Sequence, residues 1–156
     1  DSTKYSKIEG FAEVKVVESV EELFTQSDCV TLHIPLTTST SGAVDKMLLR
    51  KMKKNALLIN TARGGIVVED DLANALQQGH LAGAAVDVFE IEPYSGALSH
   101  LDNCLLTCHM GSMSFDCRSQ MEIEATNAVV SFLSSKPVDN LVPAFEYDMR
   151  TIESKR

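Results

Sequence analysis

Residues 55–65, Asn-Ala-Leu-Leu-Ile-Asn-Thr-Ala-Arg-Gly-Gly, contain the stretch that decides the fold. The apolar run at 57–59 is bounded by turn-forming residues, a pattern typical of a strand buried within a parallel sheet. The glycine pair at 64–65 then permits a sharp turn. Arg63 therefore follows the carboxyl end of a strand, where open α/β sheets place their ligands. Its guanidinium suits a carboxylate or phosphate ligand, but an ion pair with a neighbouring acid explains it equally well at this point.

Strands and helices alternate along the rest of the chain. The predicted strands lie at 14–17, 28–34, 56–60, 83–89 and 103–107. The predicted helices lie after Ser19, at about 45–52, from the acids at 69–71 to Gly79, and at 114–134. This rhythm predicts an α/β fold with a doubly wound parallel sheet.

Two local signals support the predicted helices, and a third concerns how the last one packs. Ser19 and Glu22 have the spacing of a capping box, and Gly79 is a typical C-terminal cap. The helix at 114–134 carries an apolar stripe that we expect to pack in the core. That stripe consists of Met121, Ala125, Ala128, Val129 and Phe132.

The composition favours a single globular domain and excludes several classes of function. The chain has 156 residues and a net charge of −8, from 22 acids against 14 bases. This balance argues against a nucleic-acid surface and against attraction to anionic membranes. No apolar stretch approaches the roughly 20 residues of a membrane helix, and the first residues lack the apolar core of a signal peptide. We therefore expect neither nucleic-acid nor membrane partners, and a cytoplasmic location.

The cysteines indicate neither a disulfide framework nor a standard metal site. They are Cys29, Cys104, Cys108 and Cys117, with no Cys-x-x-Cys pair. A reducing compartment is therefore expected. The three later cysteines could gather with His109 around zinc, but their spacing fits no standard zinc finger, so we expect no metal.

Unusual polar residues follow three of the predicted strands. Arg63 follows one strand, Asp87 and Glu92 belong to the end of the next, and His109 follows the last. Asp87 interrupts an apolar run, and because an unpartnered buried carboxylate is costly, we expect it to be bonded near the carboxyl edge of the sheet. This coincidence at three strand ends favours a functional site over four unrelated structural residues.

Four motifs, in order and correctly spaced, carry a family resemblance. They are Leu32-His33-Ile34-Pro35-Leu36-Thr37, Asn60-Thr61-Ala62-Arg63-Gly64-Gly65, Ala84-Ala85-Val86-Asp87-Val88-Phe89-Glu90-Ile91-Glu92-Pro93 and Thr107-Cys108-His109-Met110-Gly111. Together they resemble the NAD-dependent D-2-hydroxyacid dehydrogenases, and within that family the phosphoglycerate dehydrogenases. The resemblance runs from Ser19 to about Pro143 and implies a Rossmann-like nucleotide-binding domain.

The resemblance implies catalytic roles for three residues. Arg63 would bind and orient the carboxylate and carbonyl of a small 2-hydroxy or 2-oxo acid, with 3-phosphoglycerate as one candidate. His109 would exchange the hydroxyl proton while hydride moves to or from the nicotinamide. Glu92 would hydrogen-bond that imidazole and favour its protonated form.

The resemblance also implies NAD as the cofactor and a homodimer formed by the full-length protein. Asp87 would hold the nicotinamide carboxamide, and Asp1 would grip the adenosine ribose, which favours NAD over NADP. The implied cofactor-binding residues are Asp1, Ile34, Pro35, Thr61, Ala62, Arg63, Asp87, His109, Gly111 and Ser112.

The sequence departs from the family pattern in two ways. Cys108-His109-Met110-Gly111-Ser112 stands where the family usually has Pro-His-Ile-Gly-Gly, which leaves the substrate open. No Gly-x-Gly-x-x-Gly occurs, although the family's first strand and phosphate-binding turn would precede Asp1. We therefore expect an incomplete fold that lacks this strand and loop. Residues 1–134 would be a partial dinucleotide-binding domain that includes the crossover helix 114–134, and residues 135–156 would return toward a substrate domain. Alone, the chain should bind NAD poorly and turn over little.

Two other functions remain open from the sequence. A non-catalytic, corepressor-like protein could use the same fold to sense a dinucleotide. A metal-dependent hydrolase could use His109 and the nearby cysteines.

Overall fold

A computed structural model describes residues 15–138 and residue 141. Asp1, Val14 and the tail from residue 142 onward lie outside the described residues, so the structure does not address the predictions made for them. Residues 15–17 do not form the end of the strand predicted at 14–17. Val16 is about half exposed, and no described strand lies beside this segment to pair with it.

Within the described residues, four parallel strands form one sheet in the order β1-β2-β3-β4. The strands are β1 (Cys29–Leu32), β2 (Leu57–Asn60), β3 (Gly83–Val86) and β4 (Cys104–Leu106). The parallel sheet predicted from the sequence is confirmed, although each of these strands is shorter than the range predicted for it. Because all four strands run the same way, their carboxyl ends meet at one edge of the sheet.

The sheet register centres on β2. Leu58 pairs with Val30 on one side and with Ala84 on the other, and it is completely buried. The small residues of β3 leave room for close packing, and Gly83 faces the carbonyl of Asn103. The apolar run at 57–59 therefore forms most of an interior strand of the sheet, as its flanking turn signals indicate, although Leu57 is 44% exposed.

Helices connect the strands. They are α1 (Val20–Gln26), α2 (Lys46–Leu49), α3 (Glu69–Gln77) and α4 (Phe115–Leu133), with a short 3-10 helix at Ala97–His100. Helix α2 is shorter than the predicted 45–52. Lys51 N and Met52 N donate to carbonyls three residues back, so the end of the helix tightens into a 3-10 turn.

The predicted helix caps are present. Ser19 Oγ accepts a hydrogen bond from Glu22 N at 3.1 Å. Glu22 Oε2 accepts a hydrogen bond from Glu18 N rather than from Ser19 N, so the capping box is a variant of the standard one. Gly79 ends α3 with a φ of +64°, a conformation that glycine adopts without steric cost.

The expectation that α4 packs in the core is wrong for the part of the chain that the structure describes. None of its residues is buried, and Met121, Val129 and Phe132 are 54%, 58% and 73% exposed. Other apolar residues of α4 are also exposed, including Phe115, Ile123, Val130 and Leu133. An apolar stripe indicates that a helix has surface to bury, but it does not indicate which element covers that surface.

Candidate active site

The polar residues predicted for the site follow adjacent strands at the carboxyl edge of the sheet. Arg63 lies three residues beyond β2, Asp87 comes directly after β3, and His109 lies three residues beyond β4. Adjacent strands are about 4.8 Å apart, so the ends of β2 and β4 are separated by roughly 10 Å. The topology therefore places the three residues at the same edge of the sheet.

Asp87 organises the loop that follows β4. One of its carboxylate oxygens, Oδ1, accepts hydrogen bonds from the Thr107 hydroxyl and from Met110 N, the latter at 2.8 Å. The other oxygen, Oδ2, accepts from Gly111 N at 3.3 Å. The Asp87 backbone carbonyl accepts from His109 N at 2.8 Å. Asp87 is only 7% exposed, so the expectation of a bonded carboxylate at this edge is confirmed.

The hydrogen bonds keep Asp87 charged. Burial alone would raise the pKa of its carboxyl group. The bonds from Met110 N, the Thr107 hydroxyl and Gly111 N outweigh that effect, so the pKa lies below its usual value. Asp87 is therefore a carboxylate at neutral pH and a fixed point for the loop.

Glu92 and His109 form the hydrogen-bonded pair that the resemblance implies. His109 Nδ1 lies 3.1 Å from Glu92 Oε2, and Glu92 Oε1 accepts from Phe89 N at 3.0 Å. The bond from Phe89 N, followed by the contact with His109, holds the pKa of Glu92 below its usual value. A carboxylate at Nδ1 assigns the ring proton to that nitrogen in neutral His109 and leaves Nε2 as the nitrogen that can exchange a proton with a ligand.

His109 adopts an unusual backbone conformation. Its φ of +52° lies in the left-handed region, which is disfavoured for residues other than glycine. Asp87 supports this conformation by accepting hydrogen bonds from three consecutive backbone N–H groups, those of residues 109–111. Outlying conformations of this kind cluster at functional sites, where the surrounding structure maintains them.

Arg63 is exposed, and its loop is held by the buried Asn60, to which the sequence alone assigned no role. Asn60 Nδ2 donates to the Arg63 carbonyl, and Asn60 Oδ1 accepts from Ala62 N, each at 3.1 Å. Arg63 Nη1 donates to the Ala62 carbonyl at 2.7 Å. No ion pair in the described part of the chain involves Arg63, so the remaining guanidinium donors can bind an anion. The sequence signal that could have identified Asn60 is its position as a polar residue at the end of an apolar run.

Gly64 joins the Arg63 turn to the loop after β3. A Cβ at this position would lie 1.9 Å from the Phe89 carbonyl oxygen. Only glycine permits so close an approach between the two backbones. The Arg63 turn therefore rests directly on the segment whose next residues lead to Glu92.

A cavity of about 340 Å³ opens beside His109. Its lining residues are Phe89, Glu92, Pro93, Tyr94, Leu106, Thr107, Cys108 and His109. The rings of Phe89 and Tyr94 stack within it, with their centroids 4.3 Å apart. Arg63 is not among the lining residues, and no hydrogen bond in the described part of the chain joins Arg63 to His109. A cleft shared by these two residues therefore stays a prediction.

The residues predicted to bind the cofactor are distributed along the same edge. Ile34, Pro35, Thr61 and Gly111 are exposed, and Ser112 is half-buried. Ala62 is buried, and both its backbone polar groups are engaged by neighbouring side chains.

The groups present fit the nicotinamide end of NAD. Asp87 Oδ2 accepts one bond from the described part of the chain, at the long distance of 3.3 Å, so it can accept a further hydrogen bond from a carboxamide. The 156 residues contain no Gly-x-Gly-x-x-Gly turn of the kind that seats a dinucleotide pyrophosphate.

The described residues offer no metal site and no membrane span. Within residues 15–138 and 141, no three histidine, cysteine, aspartate or glutamate side chains are grouped so that they could hold a metal ion. Burial raises the pKa of the Cys104 thiol to about 11, which disfavours the thiolate that metals bind. No helix among the described residues is long and apolar enough to cross a membrane.

The fold and the site define a class of protein. Parallel strands in sequential order, joined by helical connections and carrying polar residues at their carboxyl ends, form a Rossmann-like domain of the dinucleotide-binding class. Residues 2–111 match the family model described as "D-isomer specific 2-hydroxyacid dehydrogenase, NAD binding domain". This chain belongs to that family.

Similar proteins have related activities in their names. A glyoxylate reductase from Pyrococcus horikoshii is 46% identical over 112 residues, which cover 70% of this chain and 34% of that protein. A D-3-phosphoglycerate dehydrogenase from Bacillus subtilis is 37% identical over 131 residues, which cover 82% of this chain and 25% of that protein. The crystal structure of the TT0316 protein from Thermus thermophilus superposes with a TM-score of 0.75 at 38% identity, covering 80% of this chain and 40% of that one. The chain thus spans about a third of the length of the curated relatives.

Proposed function

We propose that this chain carries the proton-exchanging part of the active site of an NAD-dependent D-2-hydroxyacid dehydrogenase. The observation that carries the proposal is the hydrogen bond of 3.1 Å between Glu92 and His109. His109 lies on a loop anchored by Asp87, two strands away from the end of β2, which the exposed Arg63 follows. A paired acid and imidazole beside a free cation suits proton exchange on a substrate that is itself an anion.

The substrate class is a small 2-oxo or 2-hydroxy acid. Arg63 provides a planar cation at the edge of the sheet, and a 2-oxo acid presents a carboxylate and a carbonyl that one guanidinium can contact together. The relatives include enzymes named for glyoxylate and for D-3-phosphoglycerate. We take glyoxylate as the first substrate to test and 3-phosphoglycerate as the second.

Four residues of the chain would each have a part in the reduction. NAD, when bound, supplies the hydride exchange, and Asp87 would hold its carboxamide. Arg63 would orient the substrate carboxylate and polarise the carbonyl. His109 would give the proton at Nε2 to the carbonyl oxygen, so that the carbonyl becomes a hydroxyl as hydride reaches its carbon. Glu92 would hold Nδ1 and keep the imidazole ring oriented for the transfer.

We further propose that residues 1–134 are part of a dinucleotide-binding domain and that 135–156 lead toward a substrate domain. The whole protein would act in the cytoplasm as a homodimer. The 156-residue chain alone should bind NAD poorly, because it has no glycine-rich turn to seat the pyrophosphate. Calorimetric titration of the chain with NAD tests this point, and micromolar affinity would contradict it.

Turnover by the full-length gene product tests the function. We expect glyoxylate to drive NADH oxidation, and His109→Ala to lower kcat by about 10²- to 10⁴-fold, the usual contribution of a general acid. His100→Ala is the matched control, because His100 lies in the 3-10 helix and not at the strand edge. Undiminished rates in His109→Ala would contradict the role given to that residue. Tight NAD binding without turnover of any 2-oxo acid would favour the non-catalytic sensor instead.

A further inference from the structure

The loop that carries Glu92 is held by a second carboxylate that the proposed reaction does not use. Glu69 is the first residue of α3, and its Oε1 accepts a hydrogen bond from Glu90 N at 2.8 Å. Glu69 is half-buried, and this burial raises the pKa of its carboxyl group. The side chain thus reaches from a helix on one connection to the backbone of the next, across 21 residues of sequence.

Three groups hold the backbone of residues 89–90. Glu92 Oε1 accepts from Phe89 N, and Glu69 Oε1 accepts from Glu90 N. The Phe89 carbonyl lies against Gly64, at a distance that leaves no room for a Cβ. This short segment is therefore the point where the Arg63 turn, helix α3 and the Glu92 side chain meet.

The Glu92–His109 pair depends on this segment for its geometry. The two side chains are 39% and 49% exposed, and a pair so open to solvent gains little from its own attraction. Glu92 reaches His109 with one carboxylate oxygen while the other is fixed by Phe89 N. Displacement of residues 89–90 would therefore turn the carboxylate away from His109 Nδ1.

We propose that Glu69 is a positioning residue for His109. By holding Glu90 N, it fixes the 89–90 segment, which aims Glu92 at Nδ1 and thereby keeps the neutral imidazole in its Nδ1–H tautomer. Nε2 then stays unprotonated and free to take a proton from a hydroxyl. The catalytic meaning of this tautomer rests on the function proposed above, whereas the tautomer itself is a property of the chain.

An alternative explanation of Glu69 is that it only stabilises α3. Acids in the first turn of a helix interact favourably with its dipole, and three occur here, at residues 69–71. Asp70 separates the two explanations, because it lies in the same turn and is exposed. No hydrogen bond in the described part of the chain joins its side chain to Glu90. Asp70→Ala therefore removes the same charge from the same turn and leaves the 89–90 segment untouched.

The test reads the tautomer directly, by nuclear magnetic resonance of the ¹⁵N-labelled 156-residue chain. The ring-nitrogen shifts are recorded at about pH 9, where ordinary imidazoles are neutral. His109→Ala identifies the His109 signals by their loss. In the wild type and in Asp70→Ala we expect the Nδ1–H form of His109 to dominate. In Glu69→Ala we expect the shifts to move toward the Nε2–H form, with faster exchange of the Glu90 amide.

Glu69→Gln supplies the rescue, because its amide oxygen can still accept from Glu90 N. We expect it to keep the wild-type shifts of His109. If Glu69→Ala does not fold, as judged by the signals of His33, His80 and His100, Glu69→Asp replaces it, since its carboxylate is one methylene shorter. Wild-type His109 shifts in a folded Glu69→Ala or Glu69→Asp variant would overturn the proposal, and so would an equal change in Asp70→Ala.

The magnetic resonance result does not depend on turnover. In the full-length gene product we also expect Glu69→Ala to lower kcat by about 10- to 100-fold, because a misplacement of about 1 Å can lower the rate about 100-fold. Glu69→Gln should restore most of the loss. Unchanged His109 shifts would contradict the role of Glu69 alone, whereas absence of turnover in the wild type would contradict only the proposed function.

Discussion

Replacement of Asp87 tests whether its carboxylate holds the His109 loop. The carboxylate accepts hydrogen bonds from Met110 N at 2.8 Å, from Gly111 N at 3.3 Å and from the Thr107 hydroxyl. A hydrogen bond to a charged group contributes about 1.5–3 kcal/mol to stability. We assign a contribution in the upper part of that range to the short Met110 bond and one in the lower part to the longer Gly111 bond. The Thr107 hydroxyl can rotate toward water, so we count its loss as small.

Asp87→Ala should therefore lower the free energy of unfolding by about 4 kcal/mol, the sum of one strong bond of about 2.5 kcal/mol and one weak bond of about 1.5 kcal/mol to a charged acceptor. Asp87→Asn keeps one acceptor oxygen for the Met110 bond but gives up the charge and the bond from Gly111 N, so it should lower the free energy of unfolding by about 2 kcal/mol. Both values are measured by urea unfolding of the chain at pH 7. Asp102→Ala is the matched control, since Asp102 is exposed, and it should change stability by less than about 0.5 kcal/mol.

The outcome that would refute this reasoning is a small effect. If Asp87→Ala lowers the free energy of unfolding by less than about 1 kcal/mol, the three bonds do not hold the loop in solution. An equally large loss of stability in Asp102→Ala would also refute it, since the effect would then not depend on the hydrogen bonds of Asp87.

Three further predictions concern the charge of Asp87, the close backbone approach at Gly64 and the hydrogen bonds of Asn60. Because the pKa of Asp87 is lowered on folding, its contribution to stability is complete above the unfolded value near about 3.9 and is lost as pH falls through the lower folded value. The stability difference between the wild type and Asp87→Asn, measured by urea unfolding, should therefore be constant from pH 5 to 7 and shrink below pH 4. Gly64→Ala should lower the free energy of unfolding by about 2–3 kcal/mol, because its Cβ would overlap the Phe89 carbonyl. Gly79→Ala is the control: its Cβ would meet no neighbour, and the positive φ alone should lower the free energy of unfolding by about 1 kcal/mol. Equal losses in the two glycine variants would contradict the close approach at Gly64. Asn60→Ala leaves Ala62 N and the Arg63 carbonyl without their partner and should lower the free energy of unfolding by about 2 kcal/mol, with Asn74→Ala, on the exposed side of α3, as the weaker control.

Local sequence signals predicted the four strands of the described sheet and the bonded carboxylate of Asp87. The apolar run at 57–59, the glycine pair after it and the turn residues around it are enough to define β2 and its exit. The expectation that Asp87 must be bonded followed from the cost of an unpaired buried charge, and the structure supplies the partners. These features depend on a residue and its near neighbours, so the sequence expresses them directly.

Features that depend on distant contacts could not be predicted in this way. The apolar residues of α4 indicated a surface to bury, but the structure leaves Met121, Val129 and Phe132 exposed. Glu69 was interpreted only as an acid that suits a helix start, because its bond to Glu90 N exists only once two connections lie side by side. The interaction of Asn60 with its own turn was hidden for a different reason, since an asparagine at a strand end has many ordinary explanations.

The central claim is that Arg63 and His109 serve one bound 2-oxo acid, and coupling between them tests it most directly. The measurement is kcat/KM for glyoxylate with NADH in the full-length gene product, for Arg63→Lys, His109→Asn and the double variant. Arg63→Lys keeps the charge and loses the planar fork, and Arg50→Lys, in the turn after α2, is its control. Residues that act as a unit show strongly non-additive losses. We predict that the double variant loses little more than the worse single variant, whereas losses that multiply, or a single variant with full activity, would contradict the account.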